Sequence, residues 1–174
     1  TTVPKVLQPV DGAPFIDHLA WNLKRHGIRR LVLAIGHLSE AVVSSIGDGA
    51  SLGIEVRYSL EDEPLGTGGA LRLALTQCEG DEVLALNGDT LLDVNYLDLA
   101  LLRRERDVPF AMALREVPDG ARFGSVAVDG DLVTSFAEKS GVGRLINGGV
   151  YAMATDALVH LGDGATSLEV DVLP

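Results

Sequence analysis

Residues that could do chemistry lie where apolar segments of this sequence end. The clearest is Asp89, a carboxylate that follows the apolar run Leu84–Leu86 and the break Asn87-Gly88. We interpret the run as a buried parallel strand, because it is short, apolar and bounded by turn residues. Open α/β sheets bind ligands just beyond the carboxyl ends of such strands. A turn Asp taken alone is more often simply solvated, so the rest of the chain must decide its role.

A second segment, upstream in the sequence, is rich in glycine. It is Leu65–Gly69, which leads into a helix predicted from about Thr67. Glycine in a helix interior costs about 1 kcal/mol, so this density makes sense where something approaches the backbone closely. The free N–H groups of a helix start suit an anion or a polar ligand. A tight packing contact explains the glycines equally well, and the sequence leaves both interpretations open.

Other charged and amide residues complete the set. Lys5 lies in a proline-containing stretch that we predict to be a loop. Glu138-Lys139 follows a predicted hairpin and, taken alone, is typical of an exposed ion pair. The polar residues at the ends of apolar segments are Lys5, Glu61, Gly66-Thr67, Asp89, Glu138-Lys139 and Asn147-Gly148.

Strands and helices alternate through the first two thirds of the chain. The predicted elements are a helix from Pro14 to Gly27, a strand over Arg29–Ile35, a helix capped by Ser39 and ended by Gly47, a strand over Ile54–Tyr58, the helix from Thr67, the strand before Asn87, a helix capped by Asn95 and bearing Leu97, Ala100 and Leu101, and a strand over Phe110–Val117. This order predicts right-handed crossovers and a mostly parallel central sheet with helices on both faces.

The pattern then becomes that of an antiparallel hairpin. Gly124–Val128 and Leu132–Phe136 flank the turn Asp129–Asp131, and a strand from Ile146 to Met153 follows. A parallel sheet that is followed by a hairpin and then by a further strand is typical of a nucleotide-binding half joined to a substrate half. With 174 residues and 47% hydrophobic content, we predict a single α/β domain over residues 1–174.

Composition excludes several classes of protein. The formal net charge of −11 argues against a nucleic-acid-binding surface, although a locally positive pocket can take a small anionic substrate. The single cysteine, Cys78, rules out an internal disulfide. No apolar run is long enough to span a membrane and no signal-peptide pattern begins the chain, so we predict a cytoplasmic protein. Trp21, beside the apolar face of the first helix, is predicted to be a core residue.

Five short segments in order resemble the sugar-1-phosphate nucleotidyltransferases. They are Pro4-Lys5 with Pro9-Val10, Pro64–Ala70, Asn87–Asp89, Phe136–Lys139 and Ile146–Tyr151. Each is weak alone, and five in order are specific. Within that family, Glu61–Gly69 and Leu145–Gly149 are most similar to the heptose-1-phosphate guanylyltransferases and their mannose-1-phosphate relatives.

The resemblance implies a Rossmann-like nucleotidyltransferase domain and a magnesium-dependent reaction. A sugar 1-phosphate and a nucleoside triphosphate, GTP in the guanylyltransferases, would give a nucleotide sugar and pyrophosphate. The implied site residues are Lys5, Asp89 and Lys139 for catalysis, with Asp89 as the metal ligand; Glu61, Pro64, Gly66, Thr67 and Gly88 for the nucleotide; and Asn87, Gly124, Glu138, Lys139, Asn147 and Gly148 for the sugar phosphate. No nucleic-acid or membrane partner is implied, and the family pattern leaves room for a homo-oligomer.

These residue types suit that reaction. The sugar-phosphate oxygen attacks the α-phosphorus in line, so the protein must position two polyanions rather than supply a nucleophile. Mg²⁺ prefers one or two carboxylates with phosphate oxygens and water, which fits Asp89. Lys5 would face the triphosphate, and Lys139 would neutralise the sugar phosphate. Glu138 would accept hydrogen bonds from sugar hydroxyls.

Glu61 suggests which base is used. It lies five positions before Gly66, where thymidylyl and uridylyl relatives carry a glutamine. A glutamine pairs with the adjacent carbonyl and N–H of a pyrimidine, whereas a carboxylate offers acceptors only. Guanine presents two adjacent donors, N1–H and the exocyclic amine, so we hypothesise that Glu61 selects guanine.

Three parts of the family pattern are missing from the printed sequence. A Gly-rich loop that grips the triphosphate, and the central first strand, belong immediately before Pro4-Lys5; a later acidic segment gives a second metal carboxylate. Losing a central strand would leave two strand edges unpaired. We therefore expect the printed chain to be part of a longer polypeptide, or to omit segments, and not to fold alone.

Other functions stay open at this point. One is a uridylyl- or thymidylyltransferase acting on glucose 1-phosphate. A metal-dependent glycosyltransferase has a similar sheet but normally needs two carboxylates one residue apart, and Asp89 is followed only by Asp93. A regulatory relative would bind a nucleotide sugar without turnover; the missing Gly-rich loop favours it, whereas the presence of Lys5, Asp89 and Lys139 favours an enzyme.

Overall fold

A computed structural model describes residues 3–118, 125–137, 144–162 and 164–173. Its helices are α1 (Phe15–Arg25), α2 (Ser39–Ile46), α3 (Gly66–Leu75) and α4 (Tyr96–Arg106). Its strands are β1 (Pro9–Val10), β2 (Ala13–Pro14), β3 (Arg30–Ile35), β4 (Glu55–Leu60), β5 (Glu82–Leu86), β6 (Phe110–Glu116), β7 (Ser125–Asp129), β8 (Leu132–Ala137) and β9 (Leu145–Ala154). Short 3₁₀ turns cover Lys5–Leu7 and Ala50–Leu52, and a single π-helical turn covers Leu168–Val172. None of the described helices has the length and apolar character that crossing a membrane requires.

Strand β9 is the centre of the larger sheet. It runs antiparallel to β5 on one edge and to β6 on the other. Because neighbouring residues of a strand point to opposite faces, β9 supplies two cores. Val150 and Ala152 enter the core that contains α1 and α4, whereas Tyr151 and Met153 enter the core beside α3. All four are at most 2% exposed, so the sheet is covered on both faces here.

Strands β3 and β4 form a separate parallel pair, with Arg30 opposite Glu55 and Ile35 opposite Leu60. Helix α1 packs against this region through an apolar stripe, as its spacing predicts. The buried residues of that stripe are Ile16, Leu19, Ala20 and Leu23. Gly27 follows the helix with a φ of +80°, a conformation that glycine adopts without strain.

Strands β3 and β5 line one cavity of about 510 Å³, together with Val6 and residues of α1 and α3. Within the described residues β3 pairs only with β4, and β5 only with β9, so one edge of each strand has no strand partner. The missing central strand expected from the sequence stays a prediction.

The α/β class is as predicted, but the strand pairing is more antiparallel than the pattern indicates. The run before Asn87 is a strand, yet its partner in the described residues is the antiparallel β9 rather than a parallel strand. The reason is that β9 returns after the hairpin and inserts between β5 and β6. A continuous apolar run such as β9 does not encode the direction of its neighbours.

Two local predictions, the Ser39 cap and a buried Trp21, are wrong. Ser39 is the first residue of α2 rather than its cap, because Leu38 precedes it in a left-handed conformation and no side-chain cap forms. The α4 helix buries Tyr96 and Leu99, whereas Leu97 and Leu101 are 58% and 50% exposed. Trp21 is 60% exposed, with the guanidinium of Arg25 lying 4.7 Å from its ring centroid.

Candidate active site

The two Asn-Gly segments of the sequence meet at the carboxyl end of β5. Leu86 lies opposite Val150 in the ladder, and the Asn87 N–H donates to the Gly149 carbonyl at 2.8 Å. Asn87–Asp89 therefore lies directly beside Asn147–Gly149, which the sequence separates by more than fifty positions. This edge is where the strand pattern predicted a ligand site.

A bulge in β9 shapes this meeting point. Met112 of β6 faces Tyr151 and Leu114 faces Asn147, so three residues of β9 occupy the space opposite Ala113. A Cβ on Gly148 would lie 2.8 Å from the Ala113 carbonyl oxygen, and one on Gly149, whose φ is +69°, would lie 2.6 Å from Asn87 Nδ2. Both positions therefore require glycine, and the bulge turns Asn147 away from the regular strand.

Lys5 and Asp89 form an ion pair at the same edge. Lys5 belongs to the 3₁₀ turn after Pro4, and its Nζ donates to Asp89 Oδ2 at 2.7 Å. The hydrogen bond from Lys5 to Asp89, and then their charge attraction, raise the pKa of Lys5 above its usual value. The side chains are 72% and 43% exposed, so water screens the pair and either group can take another partner.

Asp89 is the metal ligand implied by the resemblance. Among the described residues, no group of three or more His, Cys, Asp and Glu side chains is placed to hold a metal ion. One exposed carboxylate nevertheless fits Mg²⁺, which keeps water ligands and takes further oxygens from substrate phosphates. Gly88 leaves room for such a substrate, because a Cβ there would meet nothing within 4 Å.

Glu61 lies just before α3 and is partly buried. Its Oε2 accepts a hydrogen bond from the Leu65 N–H at 3.0 Å, which holds the carboxylate against the loop. Oε1 has no recorded partner in the described part of the chain. Pro64 is exposed next to Leu65, so this stretch of the loop borders solvent.

The glycines at the start of α3 are explained by packing within the chain. The carbonyl of Thr166 accepts from the N–H of Gly68 at 2.8 Å and, more weakly, from that of Gly69 at 3.4 Å. A Cβ on Gly66 would lie 2.5 Å from the same carbonyl oxygen, and Gly66 has a φ of +70°. Of the two interpretations left open, tight packing is therefore what the described residues display, and the N–H groups of Gly68 and Gly69 are already bonded.

Sequence reasoning gave no role to Tyr151 or Glu169, which connect the two sides of the site. Thr67 at the start of α3 donates to Glu169, and Glu169 accepts from Tyr151 of β9. Tyr151 in turn contacts Asn147. The signal that could have found Glu169 is the polar alternation of Ser167, Glu169 and Asp171 in an apolar segment.

Some predicted site residues lie outside the described residues. These are Gly124, Glu138 and Lys139. The predicted residues that the structure brings together are Lys5, Asn87, Gly88, Asp89, Asn147 and Gly148 at the β5 edge, and Glu61, Pro64, Gly66 and Thr67 at the start of α3.

Comparisons with known proteins agree with this arrangement. A family model described as Nucleotidyl transferase matches residues 1–168. The chain is 38% identical over 156 residues to D-glycero-alpha-D-manno-heptose 1-phosphate guanylyltransferase of Campylobacter jejuni, covering 88% of this chain and 68% of that protein. It is 29% identical over 177 residues to mannose-1-phosphate guanylyltransferase of Mycobacterium tuberculosis, covering 99% of this chain and 49% of that protein.

A solved structure is similar over nearly the whole chain. The crystal structure of HddC from Yersinia pseudotuberculosis complexed with GMP-PN matches with a TM-score of 0.87 and 29% identity, covering 99% of this chain and 76% of that one. The chain thus spans about two thirds of the Campylobacter protein's length and about half of the Mycobacterium protein's. These findings confirm the resemblance and the Rossmann-like nucleotidyltransferase fold expected from the sequence. The chain belongs to the nucleotidyl transferase family.

Proposed function

We propose that the protein transfers GMP from GTP to a sugar 1-phosphate of the heptose or mannose type, forming a nucleotide sugar and releasing pyrophosphate. The observation that carries the proposal is the meeting of the Lys5 ammonium, the Asp89 carboxylate and the two Asn-Gly segments at the carboxyl end of β5. The guanylyltransferase names of the relatives, and the GMP-PN bound to HddC, support guanine as the base.

In this proposal the chain's own groups position two polyanions. Lys5 is exposed enough to turn its ammonium from Asp89 to a triphosphate oxygen, so the ion pair is exchanged rather than lost. Asp89 would hold Mg²⁺, which when bound supplies positive charge at the α-phosphate. The open space at Gly88 lets a phosphate approach the backbone. No side chain acts as a covalent nucleophile, because the sugar phosphate brings its own attacking oxygen.

Glu61 would select the base. Its bond from Leu65 fixes the carboxylate, and Oε1 is left to accept from guanine. Two adjacent donors on guanine match a carboxylate, whereas a pyrimidine would set its carbonyl oxygen against a second acceptor. Pro64, Gly66 and Thr67 would complete the nucleotide side.

Asn87, Asn147 and Gly148 would contact the sugar phosphate, together with Gly124, Glu138 and Lys139. An amide such as Asn147 can bond sugar hydroxyls as donor or acceptor. The cytoplasmic location and a homo-oligomeric state stay predictions.

The test is pyrophosphate release by the full-length protein with Mg²⁺. GTP, UTP, dTTP, CTP and ATP are each offered with mannose, glucose and heptose 1-phosphates. Release with GTP and a heptose or mannose 1-phosphate is the expected result. Release with a pyrimidine triphosphate and glucose 1-phosphate would instead establish a uridylyl- or thymidylyltransferase. Nucleotide-sugar binding without any release would point to the regulatory alternative.

A second experiment addresses the base alone. Glu61→Gln replaces one acceptor by an amide donor, so we expect the preference for GTP over UTP to fall by about tenfold or more, the value of one charged hydrogen bond. Glu63→Gln, on an exposed residue of the same loop, is the matched control. An unchanged GTP preference in Glu61→Gln would remove Glu61 from base selection.

A further inference from the structure

A chain of hydrogen bonds links the nucleotide side of the site to the sugar side, and its proton directions follow from groups whose roles are unambiguous. At one end, the Gly149 N–H donates to Asn147 Oδ1 at 2.8 Å. A backbone N–H can only donate, so the oxygen of the Asn147 amide faces Gly149 and its nitrogen faces the Tyr151 hydroxyl. The Tyr151 oxygen therefore accepts, and its own proton must go elsewhere.

Among the described residues, the acceptor for that proton is Glu169. The Tyr151 hydroxyl donates to Glu169 Oε1 over a long contact of 3.4 Å. Tyr151 is 2% exposed, and burial above all raises its pKa to about 12. Asn147 lowers that pKa and Glu169 raises it. Tyr151 thus keeps its proton at neutral pH and serves as a donor.

On the nucleotide side, the hydrogen bonds lead to the same carboxylate. The Leu168 N–H donates to Thr67 Oγ1 at 2.8 Å, so the Thr67 hydroxyl sends its proton to Glu169 Oε2 at 2.9 Å. Both oxygens of Glu169 accept, which a carboxylate does and an amide side chain cannot, because an amide NH₂ group only donates. One carboxylate thereby holds α3, β9 and the Leu168–Val172 turn together.

We propose that Glu169 is a positioning residue for both substrates, holding the Asn147 amide through Tyr151 and the start of α3 through Thr67. The proposal rests on the proposed function, in which Asn147 contacts the sugar phosphate and Thr67 borders the nucleotide. Oδ1 of Asn147 is bonded to Gly149 and one amide hydrogen to Tyr151, so among the described residues the second amide hydrogen has no partner and is left for a ligand. The amide is thus presented as a donor in a fixed orientation.

The test is a set of KM values for both substrates in the full-length protein. Tyr151→Phe removes the hydrogen bonds that link Glu169 to Asn147 and leaves those of Thr67 in place. The KM of the sugar phosphate should therefore rise about tenfold, while the KM of the nucleotide is unchanged. Thr67→Val removes only the link between Glu169 and the start of α3. The KM of the nucleotide should therefore rise about tenfold, while the KM of the sugar phosphate is unchanged. Glu169→Ala should raise both KM values, and Glu169→Gln, which keeps the size but accepts on one atom, replaces it if the alanine variant does not fold.

A double variant and a matched control separate positioning from general support. In a Tyr151→Phe background, Glu169→Ala should no longer raise the KM of the sugar phosphate, because the link is already broken. Asp171→Ala is the control: within the described part of the chain its carboxylate accepts from the Ser167 N–H of its own turn and from no residue of α3 or β9, so both KM values should stay unchanged. Additive effects of Tyr151 and Glu169, or an equal effect of Asp171→Ala, would overturn the proposal.

The kinetic set uses whichever nucleotide and sugar-phosphate pair the wild type turns over. A different base or sugar would therefore correct the proposed function and leave this test in place. If no pair is turned over, the dissociation constants of GTP and mannose 1-phosphate, measured by calorimetry on the same variants, carry the same expectations and the same contradicting outcomes.

Discussion

The two ends of β5 each carry a carboxylate, and each carboxylate meets cations in a different setting. Glu82, at the start of the strand, has a side chain only 11% exposed and accepts from Arg103 Nε at 2.5 Å and Arg104 Nη2 at 2.6 Å. Asp89, beyond the other end, is 43% exposed and, among the cations of the described residues, pairs with Lys5. The same chemical pairing therefore serves structure at one end of the strand and is available to ligands at the other.

Glu82 and Asp89 differ because Glu82 is more buried and has two arginine partners. Burial raises the pKa of Glu82, but hydrogen bonds from Arg103 and Arg104 outweigh it, so the net pKa is lowered. These contacts fasten α4 to β5 and leave little room for exchange. The pair of Lys5 with Asp89 is solvated, contributes little to stability and can open for a substrate at little cost.

The largest effect should come from Asp89→Asn. Loss of the carboxylate removes the predicted metal ligand, so kcat should fall by roughly a thousandfold. The urea midpoint of unfolding should not change, because the pair is exposed. Asp93→Asn, four positions later and exposed, is the control. Equal losses of kcat in the two variants would break the contrast between the ends of β5.

Glu82→Gln should have the opposite effects: it should lower the stability and leave kcat almost unchanged. It leaves two arginines without their carboxylate, so the free energy of unfolding should fall by roughly 2 kcal/mol, below the range for fully buried pairs. kcat should stay within twofold of the wild type at a temperature where the variant is folded. Glu55→Gln, which removes the ion pair between the half-exposed Glu55 and Arg57, should barely move the urea midpoint. If Glu55→Gln cost as much as Glu82→Gln, burial would not be what distinguishes Glu82.

Lys5→Met should act on substrate binding. Removing the ammonium takes one positive charge from the triphosphate, so the KM of the nucleotide should rise about tenfold. The unfolding midpoint should stay the same, since Lys5 is mostly exposed. Lys24→Met, which removes a bond to the Leu52 carbonyl away from the site, is the control. A drop in stability without a change in KM would make Lys5 structural.

The smallest expected effect is a pH dependence of the Glu82 contribution. Because the pKa of Glu82 is lower in the folded state than in the unfolded chain, its stabilisation is complete above about pH 4.3, the unfolded value. It is lost as the pH falls through the folded pKa. The stability difference between wild type and Glu82→Gln should therefore shrink in acid. A difference that grows as the pH falls would contradict the lowered pKa.

Local structure followed from the sequence where a short stretch decides it. The Asn95 side chain caps α4 by accepting from the Leu97 N–H, and the hairpin of β7 and β8 turns at Gly130 with a φ of +59°. Both depend on residues within a few positions of each other. Which apolar residues of α4 are buried depends instead on how the helix packs: Tyr96 is 1% exposed, whereas Leu97 is 58% exposed.

Long-range pairing was harder to foresee. The five motifs indicated Asn87–Asp89 and Asn147–Gly148 as parts of one site, and the structure places them side by side. Nothing local indicated that β9 runs antiparallel between β5 and β6, or that Thr166 would fill the space over the glycines of α3. Both depend on contacts between segments far apart in sequence, which periodicity does not encode.

The most direct measurement compares the two ends of β5 in one assay. GDP-sugar formation from GTP and a heptose or mannose 1-phosphate is followed for the full-length wild type, Glu82→Gln and Asp89→Asn, at a temperature where all three are folded. We predict that Glu82→Gln turns over within twofold of the wild type and that Asp89→Asn turns over roughly a thousandfold less. Equal losses in both variants, or no GDP-sugar from the wild type, would contradict the assignment of the carboxyl end of β5 as a guanylyl-transfer site.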